Sequence, residues 1–521
     1  MSFEESGPPL SSPKDQPSGL KKILFFTSSE YGQANVILAV MYELLLMKKY
    51  EIHIMSFDPL KSRIKFLNQQ ASTEESHAAI FHTIPGLSMA QALDRNTDHI
   101  GPFPPGVRGA QDTYRMMLPA MVTAWNGPEY MIGYEACLET IRSLNPDTIV
   151  VDPLHDQGLQ ACQSLSRKYI MLSPNTLQDI LRKRQPFLSQ FLRHPALSSG
   201  FPYPVPWSLV LSNIYIKLKM IWILITSPKI KGLMKFRKSQ NLPALPPTFN
   251  LWQKENHHLV PAIPETDFPC KLEANVTPCG PILLPVSPVS KVDPELEAWL
   301  EQGPTVLINL GSHIKTDGQM TREFAVALKV LLDCRPKIQV LWKLKTTGKT
   351  LPFKEAKAQN STTAEMDKEF SMSSLETIAT EIGAGRVKIL EWLSVDPLAV
   401  LQSGHIVCSV HHGGSNSFHE ALSNLSVGVP QIILPVWLDT FEFANRAEYL
   451  GIGVYASKTA APRVDAWKLS RALMRVLGDG DEAVQMKRKA KELAVICGKV
   501  GGRVKACETI VSILENGSRE F

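Results

Sequence analysis

The chain has 521 residues, of which 44% are hydrophobic and 20% are charged, and its formal net charge is +5 at pH 7. This is the composition of a globular protein, and the length predicts two large domains because one hydrophobic core rarely serves so many residues. The small charge and the lack of a long basic run argue against a nucleic-acid partner.

The cysteines and the N-terminus bear on the cellular compartment. Eight cysteines are scattered along the chain without a Cys-x-x-Cys pair, a pattern typical of a reduced compartment. Residues 1–19 are polar, are rich in proline and serine, and lack the apolar core of a secretory signal. We therefore predict a disordered tail over residues 1–19 and a cytoplasmic protein.

The first half of the chain opens with the pattern of a doubly wound α/β domain. A buried strand is predicted over residues 21–27, a helix follows and ends near Met47, and a second strand covers residues 51–57. The loop 28–35, which contains Gln33, follows the carboxyl end of the first strand. Ligands bind at this edge of a parallel sheet.

A later strand of this half is predicted over residues 147–152 and ends in Asp152. His155 and Asp156 follow it, and either is suited to cap the helix predicted next. Before this strand, a single long helical stretch is predicted over residues 111–144, and its methionines are assigned to the core.

Residues 207–238 contain a long apolar segment followed by a basic one. The helix predicted over residues 207–226 has two internal lysines, which makes it a poor transmembrane span. The simpler interpretation is a helix that packs over the first domain. The alternative is peripheral contact with a membrane surface, because basic residues follow the helix. These residues are Lys229, Lys231, Lys235, Arg237 and Lys238.

A proline-rich linker places the predicted domain boundary near residue 285. The predicted units are an N-terminal domain over residues 20–285, a C-terminal domain over residues 286–465, and helices over residues 466–521. Within this last region, one continuous helix is predicted over residues 481–514.

The second domain restarts with a buried strand over residues 305–310, which runs into Gly311 and Ser312. A further strand covers residues 339–343 and ends in Lys343. Residues 345–372 are polar and without periodicity, so we predict a flexible insertion there.

The most informative stretch is 387–454, in which apolar runs of strand length alternate with helical segments. A strand that ends at Val410 runs into His-His-Gly-Gly-Ser-Asn-Ser at residues 411–417, and the last three are good helix starters. The glycines let an anion come close, a histidine supplies a donor, and amides at a helix start attract negative charge. The pattern therefore predicts a phosphate cradle.

Further residues of this stretch suit a nucleotide. Glu420 lies on the same helix face as Asn416 and Ser417, which places a carboxylate for ribose hydroxyls one turn behind the phosphates. Trp392, at the end of the preceding strand, presents an aromatic face for a base.

A metal site is the weaker interpretation of the same stretch. Adjacent histidines in an extended strand point to opposite faces, so a set that includes both cannot converge on one ion. The residues that it would use are His411, His412, His419 and Glu420.

This combination of motifs resembles the donor-binding signature of the UDP-glycosyltransferase family, whose members have the GT-B fold. The family's His, spacer, Gly, Asn-Ser and later Glu are matched in order by His412, Gly414, Asn416, Ser417 and Glu420. Its Gly-Val-Pro motif, followed by an acidic residue, is matched by residues 428–430 and Asp439.

The resemblance implies a role for each position of the donor site. Trp392 is expected to stack on the base, Glu420 to hold the ribose, and Asp439 to reach the sugar hydroxyls, although a helix cap is an alternative for Asp439. The diphosphate is expected to contact residues from two strand ends, namely Ser312, His412 and Ser417.

Two positions depart from the family pattern. Val395 stands where many members have a ribose-contacting glutamine, and Thr440 stands where glucose-using plant members have glutamine. The sugar is therefore open.

The resemblance also implies the architecture and the reaction. The expected fold is α/β, with two Rossmann-like doubly wound domains that face a central cleft, the acceptor in the first and the nucleotide sugar in the second. The expected reaction is inverting transfer of a hexose from a UDP-sugar to a hydroxyl of a small, largely apolar acceptor, with no metal or other cofactor. The tail and the Gln33 loop resemble fungal members, some of which modify secondary metabolites or lipids.

The general base is the main departure from the family. Its histidine is replaced by Gln33, which cannot take a proton at neutral pH. Asp152 matches the aspartate that would orient this histidine, and either Asp152 or His155 is a candidate replacement base. With an acidic phenol or enol as acceptor, Gln33 need only position the hydroxyl. The alternative is a non-catalytic GT-B protein that binds a nucleotide sugar as a partner protein.

Overall fold

The computed structural model describes residues 19–71, 77–95, 102–311, 314–346 and 373–516. The predicted tail lies outside the described residues except for Gly19. Most of the predicted insertion, residues 347–372, also lies outside them.

The described residues of the first domain form one parallel sheet. Its strands are β1 (Lys21–Phe26), β2 (Tyr50–Phe57), β3 (Ile80–Ile84), β4 (Thr148–Val151), β5 (Ile170–Leu172), β6 (His257–Val260) and β7 (Val276–Pro278). Their order is β3-β2-β1-β4-β5-β6-β7, and all neighbours are parallel. The order reverses between β1 and β4, so the loops after these two strands flank the crevice where doubly wound sheets bind ligands.

Helices cover both faces of this sheet. They are α1 (Tyr31–Met47), α2 (Lys61–Gln70), α3 (Met89–Asp94), α4 (Gly106–Val122), α5 (Gly127–Leu144), α6 (Asp156–Ser164), α7 (Leu177–Leu181), α8 (Phe187–Leu192), α9 (Trp207–Thr226) and α10 (Pro228–Ser239). One face packs on α1 through residues such as Ile23 and Phe25, and the other packs on α5 and α6 through Leu24 and Phe26. Alternate residues of β1 thus serve opposite cores, as expected of a strand buried on both sides.

The single helix predicted over residues 111–144 is two helices, α4 and α5. The break lies at Asn126, whose side chain accepts a hydrogen bond from Glu129 N at 2.9 Å while the Glu129 carboxylate accepts from Asn126 N at 3.0 Å. This reciprocal cap starts a new helix, and Pro128 at its second position lacks an amide that could continue the old one.

The second domain repeats the architecture with six parallel strands among the described residues. They are β8 (Thr305–Asn309), β9 (Gln339–Lys343), β10 (Val387–Leu390), β11 (Ile406–His411), β12 (Gln431–Ile433) and β13 (Gly453–Tyr455). Their order is β10-β9-β8-β11-β12-β13. The predicted two-domain α/β fold is therefore confirmed.

The helices of this half are α11 (Val289–Val292), α12 (Pro294–Leu300), α13 (Gly318–Cys334), α14 (Ala379–Gly383), α15 (Pro397–Gln402), α16 (Ser415–Ala421), α17 (Thr440–Tyr449), α18 (Ala466–Leu477), α19 (Asp481–Val500) and α20 (Arg503–Asn516). The helix predicted over residues 481–514 is interrupted between α19 and α20. Gly501 and Gly502 have φ values of +106° and +56°, and a Cβ at Gly502 would lie 2.2 Å from the Pro281 carbonyl oxygen. A left-handed turn in close contact with the interdomain linker requires glycine.

After this turn the chain returns to the first domain. Helix α20 packs on α1 with Ala506, Cys507 and Ile510 in the first core. Tyr50 Oη donates to Glu515 Oε1 at 2.7 Å, and Lys21 Nζ donates to the Leu514 carbonyl at 3.2 Å. The C-terminal helix is thus part of both halves of the molecule.

The carboxyl edges of the two sheets face each other across a cleft that is bridged by direct contacts. Arg446 of α17 forms a buried ion pair with Asp267 of the first domain, with Nε 2.9 Å from Oδ1. Asn445 Nδ2 donates to the Phe201 carbonyl at 2.8 Å. These contacts hold the two predicted ligand-binding edges in one arrangement.

Candidate functional site

The predicted phosphate cradle lies where β8 and β11 end side by side. The ring of His412 lies between two glycines: a Cβ at Gly414 would stand 2.6 Å from His412 Nε2, and one at Gly311 would stand 2.8 Å from His412 Cε1. Contacts this short do not occur, so both positions must be glycine for the ring to lie here. The two strand ends therefore fix His412 beside the first turn of α16.

The neighbouring histidine, His411, has a structural role. Its Nε2 donates to Gln431 Oε1 at 2.8 Å, and its Nδ1 accepts from Gly413 N at 3.1 Å. Burial lowers the pKa of its ring to about 4, so it is neutral at pH 7. Among the described residues, no group of three or more histidine, cysteine, aspartate or glutamate side chains is placed to hold a metal ion.

Helix α16 begins without a side-chain cap, so its first amides are not used by a capping residue. Its first turn contacts the other domain: Ser415 Oγ donates to the Pro174 carbonyl at 2.6 Å, and Asn416 Nδ2 donates to the Tyr31 carbonyl at 3.4 Å. Ser417 is half-buried in the same turn. Helix α16 therefore meets the start of α1 across the cleft, a contact that local sequence patterns do not predict.

Glu420, one turn further along α16, is half-buried. Burial, together with the nearby Asp396, raises the pKa of its carboxyl to about 8. Asp396 itself caps α15 by accepting from Leu398 N at 2.9 Å. Val395 is packed in the core and is 6% exposed. The carboxyl of Glu420 is thus a shielded hydrogen-bonding group beside the cradle.

Trp392 lies at the rim of the site and is 56% exposed. Lys343, at the end of β9, places its Nζ 3.6 Å from the centroid of the Trp392 ring and also donates to the Gly311 carbonyl at 3.3 Å. Burial lowers the pKa of the Lys343 ammonium. A base that stacks on Trp392 must therefore use the opposite face or displace Lys343, whose position above the indole was not foreseen.

Asp439 and Thr440 begin α17 beyond the end of β12. Asp439 is half-buried, and burial, with Asp179 and Glu442 nearby, raises the pKa of its carboxyl to about 7. It makes no side-chain capping bond. Thr440 is 2% exposed, and its Oγ1 accepts from the amides of Val436 and Trp437 at 3.2 and 3.1 Å. Thr440 thus shapes the turn that presents Asp439.

Ser312 lies outside the described residues. Its neighbour Gly311 is described and has a φ of +89°, which places the backbone after β8 in the left-handed region. The role of Ser312 as a diphosphate contact stays a prediction.

On the acceptor side, Gln33 lies in the first turn of α1 and is half-buried. Its Oε1 is buried and has no hydrogen-bond partner among the described residues. An unpartnered buried oxygen at a ligand-binding edge is available to a ligand hydroxyl, which agrees with a positioning role for Gln33.

Asp152 is 0% exposed at the end of β4. Its Oδ1 accepts from Leu154 N at 2.9 Å, and its Oδ2 accepts from Ser28 N and Thr27 Oγ1, both at 3.2 Å. Burial raises the pKa of this carboxyl to about 6. Asp152 therefore ties the loops after β1 and β4 together, and in this arrangement no acceptor hydroxyl reaches it.

His155 caps α6, as one of the two sequence-based interpretations predicts. Its Nδ1 accepts from Gly158 N at 3.0 Å, so the ring proton lies on Nε2 and no nitrogen lone pair is left to take another proton. The ring is 1% exposed and packs against Phe26 and Phe57, and burial lowers its pKa to about 4. As placed, His155 is not a general base.

Aromatic rings surround this histidine. Trp125 stacks on Phe57 with ring centroids 5.8 Å apart, and its Nε1 donates to the Leu87 carbonyl at 2.8 Å. Phe26 and Phe57 belong to the core behind this edge of the first sheet, whereas Trp125 is half-buried and presents an apolar ring there.

Comparisons with known proteins agree with this geometry. A family model described as "Erythromycin biosynthesis protein CIII-like, C-terminal domain" matches residues 364–496, which include the cradle. The glycosyltransferase sdnJ of Sordaria araneosa is 37% identical over 94% of this chain and 97% of its own length. An erythritol-mannosyl-transferase of Mycosarcoma maydis is 32% identical over 27% of this chain and 21% of its own length.

Solved structures share the whole fold. A UDP-glucosyltransferase from Polygonum tinctorium, capable of glucosylating indoxyl, has a TM-score of 0.60 at 16% identity and covers 96% of this chain and 100% of its own. Phytolacca americana UGT2, complexed with UDP-2fluoro-glucose and pterostilbene, has a TM-score of 0.58 at 14% identity with the same coverage. At these identities the similarity establishes the fold.

Proposed function

The chain belongs to the UDP-glycosyltransferase family and has its GT-B fold, and we propose that it transfers a hexose from a UDP-sugar to a hydroxyl of a small, largely apolar acceptor with inversion. It is thus a glycosyltransferase. The proposed reaction needs no metal ion or other cofactor. The acceptor class that we propose is a secondary metabolite or a lipid.

One observation carries this proposal: the placement of the His412 ring between Gly311 and Gly414, at the start of α16. A hydrogen-bond donor such as His412, held rigidly beside the amides at a helix start, stabilises the negative charge that develops on a departing diphosphate. Such a preorganised site does not have to rearrange during the reaction. We assign the leaving-group side of the reaction to this cradle, with Ser312 and Ser417 as further proposed contacts.

The rest of the donor site follows from the same arrangement. Trp392 is the proposed platform for the base, Glu420 the proposed partner of the ribose hydroxyls, and Asp439 the proposed partner of the sugar hydroxyls. The raised pKa of the Glu420 carboxyl, about 8, favours its protonated form at pH 7, which can both donate to and accept from ribose hydroxyls.

The acceptor faces the cradle from the first domain. Attack from that side, opposite to the departing diphosphate, inverts the configuration at the anomeric carbon. The half-buried ring of Trp125, which stacks on Phe57, supports an acceptor with an apolar body.

Release of UDP tests the proposal directly. Purified protein is given UDP-glucose, UDP-xylose and a panel of phenol, polyketide and sterol acceptors. We expect UDP release that depends on the acceptor, together with a glycosylated product of opposite anomeric configuration. UDP-sugar binding without turnover of any acceptor would contradict the transferase proposal.

UDP-sugar binding without turnover would indicate a non-catalytic partner protein, and specific observations favour this as the second candidate function. Gln33 replaces the usual base, both oxygens of the buried Asp152 accept hydrogen bonds within the protein, and the buried His155 uses its Nδ1 lone pair to cap α6. Turnover by the Gln33→His variant, which restores the family's histidine, discriminates between the two functions. If turnover appears only in Gln33→His, the natural protein is a nucleotide-sugar-binding partner.

We further propose that the protein is cytoplasmic and contacts a membrane surface peripherally through residues 207–238. Helix α9 carries a continuous exposed apolar stripe at helical spacing. Its exposed members are Trp207, Leu211, Tyr215, Leu218, Ile221, Trp222 and Ile225. In the described part of the chain, α9 is the one helix whose length and composition would allow it to cross a membrane.

Charge favours an anionic bilayer as the occupant of this stripe. The next helix, α10, exposes Lys229, Lys231, Lys235 and Lys238, whereas Arg237 is 0% exposed and lies 3.6 Å from Asp156. Arg237 is therefore structural and must be removed from the basic set predicted from the sequence. An apolar stripe beside four exposed lysines is the pattern of an interfacial helix.

We expect the protein to sediment with phosphatidylcholine vesicles that contain phosphatidylserine, and less with phosphatidylcholine alone. The double variant Trp207→Ser/Trp222→Ser should lose this binding, because both indoles would insert at the interface. The matched control is Trp467→Ser, which removes an indole that is 63% exposed on the second domain. Equal binding by the double variant and the control would contradict the membrane proposal, and self-association through the stripe would appear as a dimer in solution.

A further inference from the structure

The proposed reaction uses a general base, and the residues predicted for this role from the sequence do not have the geometry or the chemistry for it. The structure removes two candidates: Asp152 has both oxygens engaged within the protein, and His155 has no free lone pair. Gln33 has an available oxygen but no basicity. The base must therefore be another group at the same sheet edge.

Glu30 lies in the loop after β1, at the N-cap position of α1. Its side chain does not cap the helix. Its Oε1 instead accepts from Ala90 N, at 2.7 Å, in the first turn of α3. Its Oε2 is buried and has no hydrogen-bond partner among the described residues. One oxygen thus fixes the carboxylate, and the other is unoccupied.

The surroundings of Glu30 place it at the reaction cleft. It lies close enough to Asp152 to raise the pKa of that carboxyl. Gln33, with its own unpartnered Oε1, is one helical turn away, and its amide donates to the Glu30 carbonyl at 3.1 Å. The carbonyl of Tyr31, the next residue, accepts a hydrogen bond from Asn416 Nδ2 in the first turn of α16. Glu30 therefore lies in the segment of the first domain that meets the first turn of α16.

The loop that holds Oε1 also borders the apolar site. Ala90 follows Ser88, which caps α3, and the Leu87 carbonyl accepts the hydrogen bond from the Trp125 indole. An acceptor packed against Trp125 thus lies beside the loop to which Glu30 is bonded.

We propose that Glu30 is the general base, resting on the transferase function proposed above. Glu30 Oε2 takes the proton of the acceptor hydroxyl while the acceptor oxygen bonds to the anomeric carbon. The bond from that carbon to the diphosphate oxygen breaks, and its electron pair leaves with UDP, beside His412. The proton stays on Glu30 until water or buffer removes it, and Gln33 Oε1 helps to orient the hydroxyl.

The test compares Glu30→Gln with the parent protein on two acceptors, an alkyl alcohol and an acidic nitrophenol. The glutamine keeps the bond to Ala90 N but cannot take a proton. We expect kcat with the alcohol to fall about 100-fold, the effect of losing a general base, while kcat with the nitrophenol falls less than about 10-fold. The dissociation constant for UDP should not change.

The control is Glu135→Gln, which neutralises an exposed glutamate on α5 of the same domain and should leave both rates unchanged. Equal losses of kcat with both acceptors in Glu30→Gln would indicate a structural role and overturn the assignment. So would an unchanged rate with the alcohol. If the parent protein turns over neither these two acceptors nor any other acceptor of the panel, the transferase proposal fails, and the assignment fails with it.

Discussion

Gly414→Ala is expected to lower kcat for sugar transfer about 100-fold, the usual cost of displacing a catalytic group by about 1 Å. The added methyl group would lie 2.6 Å from His412 Nε2 and 2.8 Å from Cε1, so the imidazole must move away from its place beside α16. No charge or hydrogen-bonding group is removed by the substitution. The loss of rate would therefore measure the value of holding His412 in position.

Two further variants complete this experiment. His412→Ala removes the donor altogether and should lower kcat by about 100- to 1,000-fold, as the loss of one preorganised donor does elsewhere. Gly383→Ala is the matched control, since a Cβ there meets nothing within 4 Å. Steady-state kinetics with saturating acceptor, together with the melting temperature, checks all three.

The outcome separates the donor cradle from a structural interpretation of the same histidine. If Gly414→Ala and Gly383→Ala have equal kcat values, His412 does not act on the leaving group. If Gly414→Ala loses activity only because it unfolds, the melting temperature falls with it. A lower kcat at an unchanged melting temperature is the result that supports the cradle.

The cradle was predictable from the sequence because it is local. The residues from His412 to Glu420 form one strand end and two helical turns, so their spacing fixes their geometry. Gly311 is the exception: it is a hundred residues away in sequence, and only the pairing of β8 with β11 brings it against the His412 ring.

The acceptor side was not predictable in the same way. The resemblance identified Gln33 and Asp152, but the two hydrogen bonds to Asp152 Oδ2 come from the loop after another strand. The sequence around Glu30 does not predict a catalytic role, because a carboxylate at a helix start is usually a cap. Its side chain turns instead to Ala90, a contact between distant segments.

The fold followed from strand and helix periodicity, and the errors occurred at helix ends. The sequence of α4 and α5 is apolar enough to predict one helix, and the reciprocal cap between Asn126 and Glu129 divides it. Similarly, Gly501 lies within a helical pattern, and the break is required because the chain must cross the linker there. Local propensity does not encode such tertiary demands.

The second large effect is expected at the contact between the domains. Arg446→Met should lower the free energy of unfolding by about 3–5 kcal/mol, because it leaves a buried carboxylate without its cation. The side chains of Arg446 and Asp267 are 1% and 0% exposed, and their N···O distance is 2.9 Å. Burial raises the pKa of the Asp267 carboxyl, whereas Arg446 lowers it. Without Arg446, the cost of burying the Asp267 carboxylate is no longer offset by a cation.

The effect should extend to the relation between the domains, since Asp267 lies in the first and Arg446 in the second. Asp267 also accepts from Leu177 N at 2.8 Å, so its displacement disturbs the start of α7. The matched control is Arg335→Met. Arg335 Nη1 lies 2.6 Å from Oδ2 of its partner Asp479, whose side chain is 84% exposed. An exposed pair of this kind contributes less than about 1 kcal/mol to the free energy of unfolding.

Denaturant titration of the two variants gives the comparison, and a double variant identifies the cause. Arg446→Met/Asp267→Asn removes the uncompensated charge and should recover part of the stability lost in Arg446→Met. If Arg446→Met unfolds at the same denaturant concentration as Arg335→Met, the buried pair does not stabilise the cleft. If the double variant is less stable than Arg446→Met, the loss comes from packing against Phe268, whose ring centroid lies 4.6 Å from the guanidinium carbon, and not from the unpaired charge.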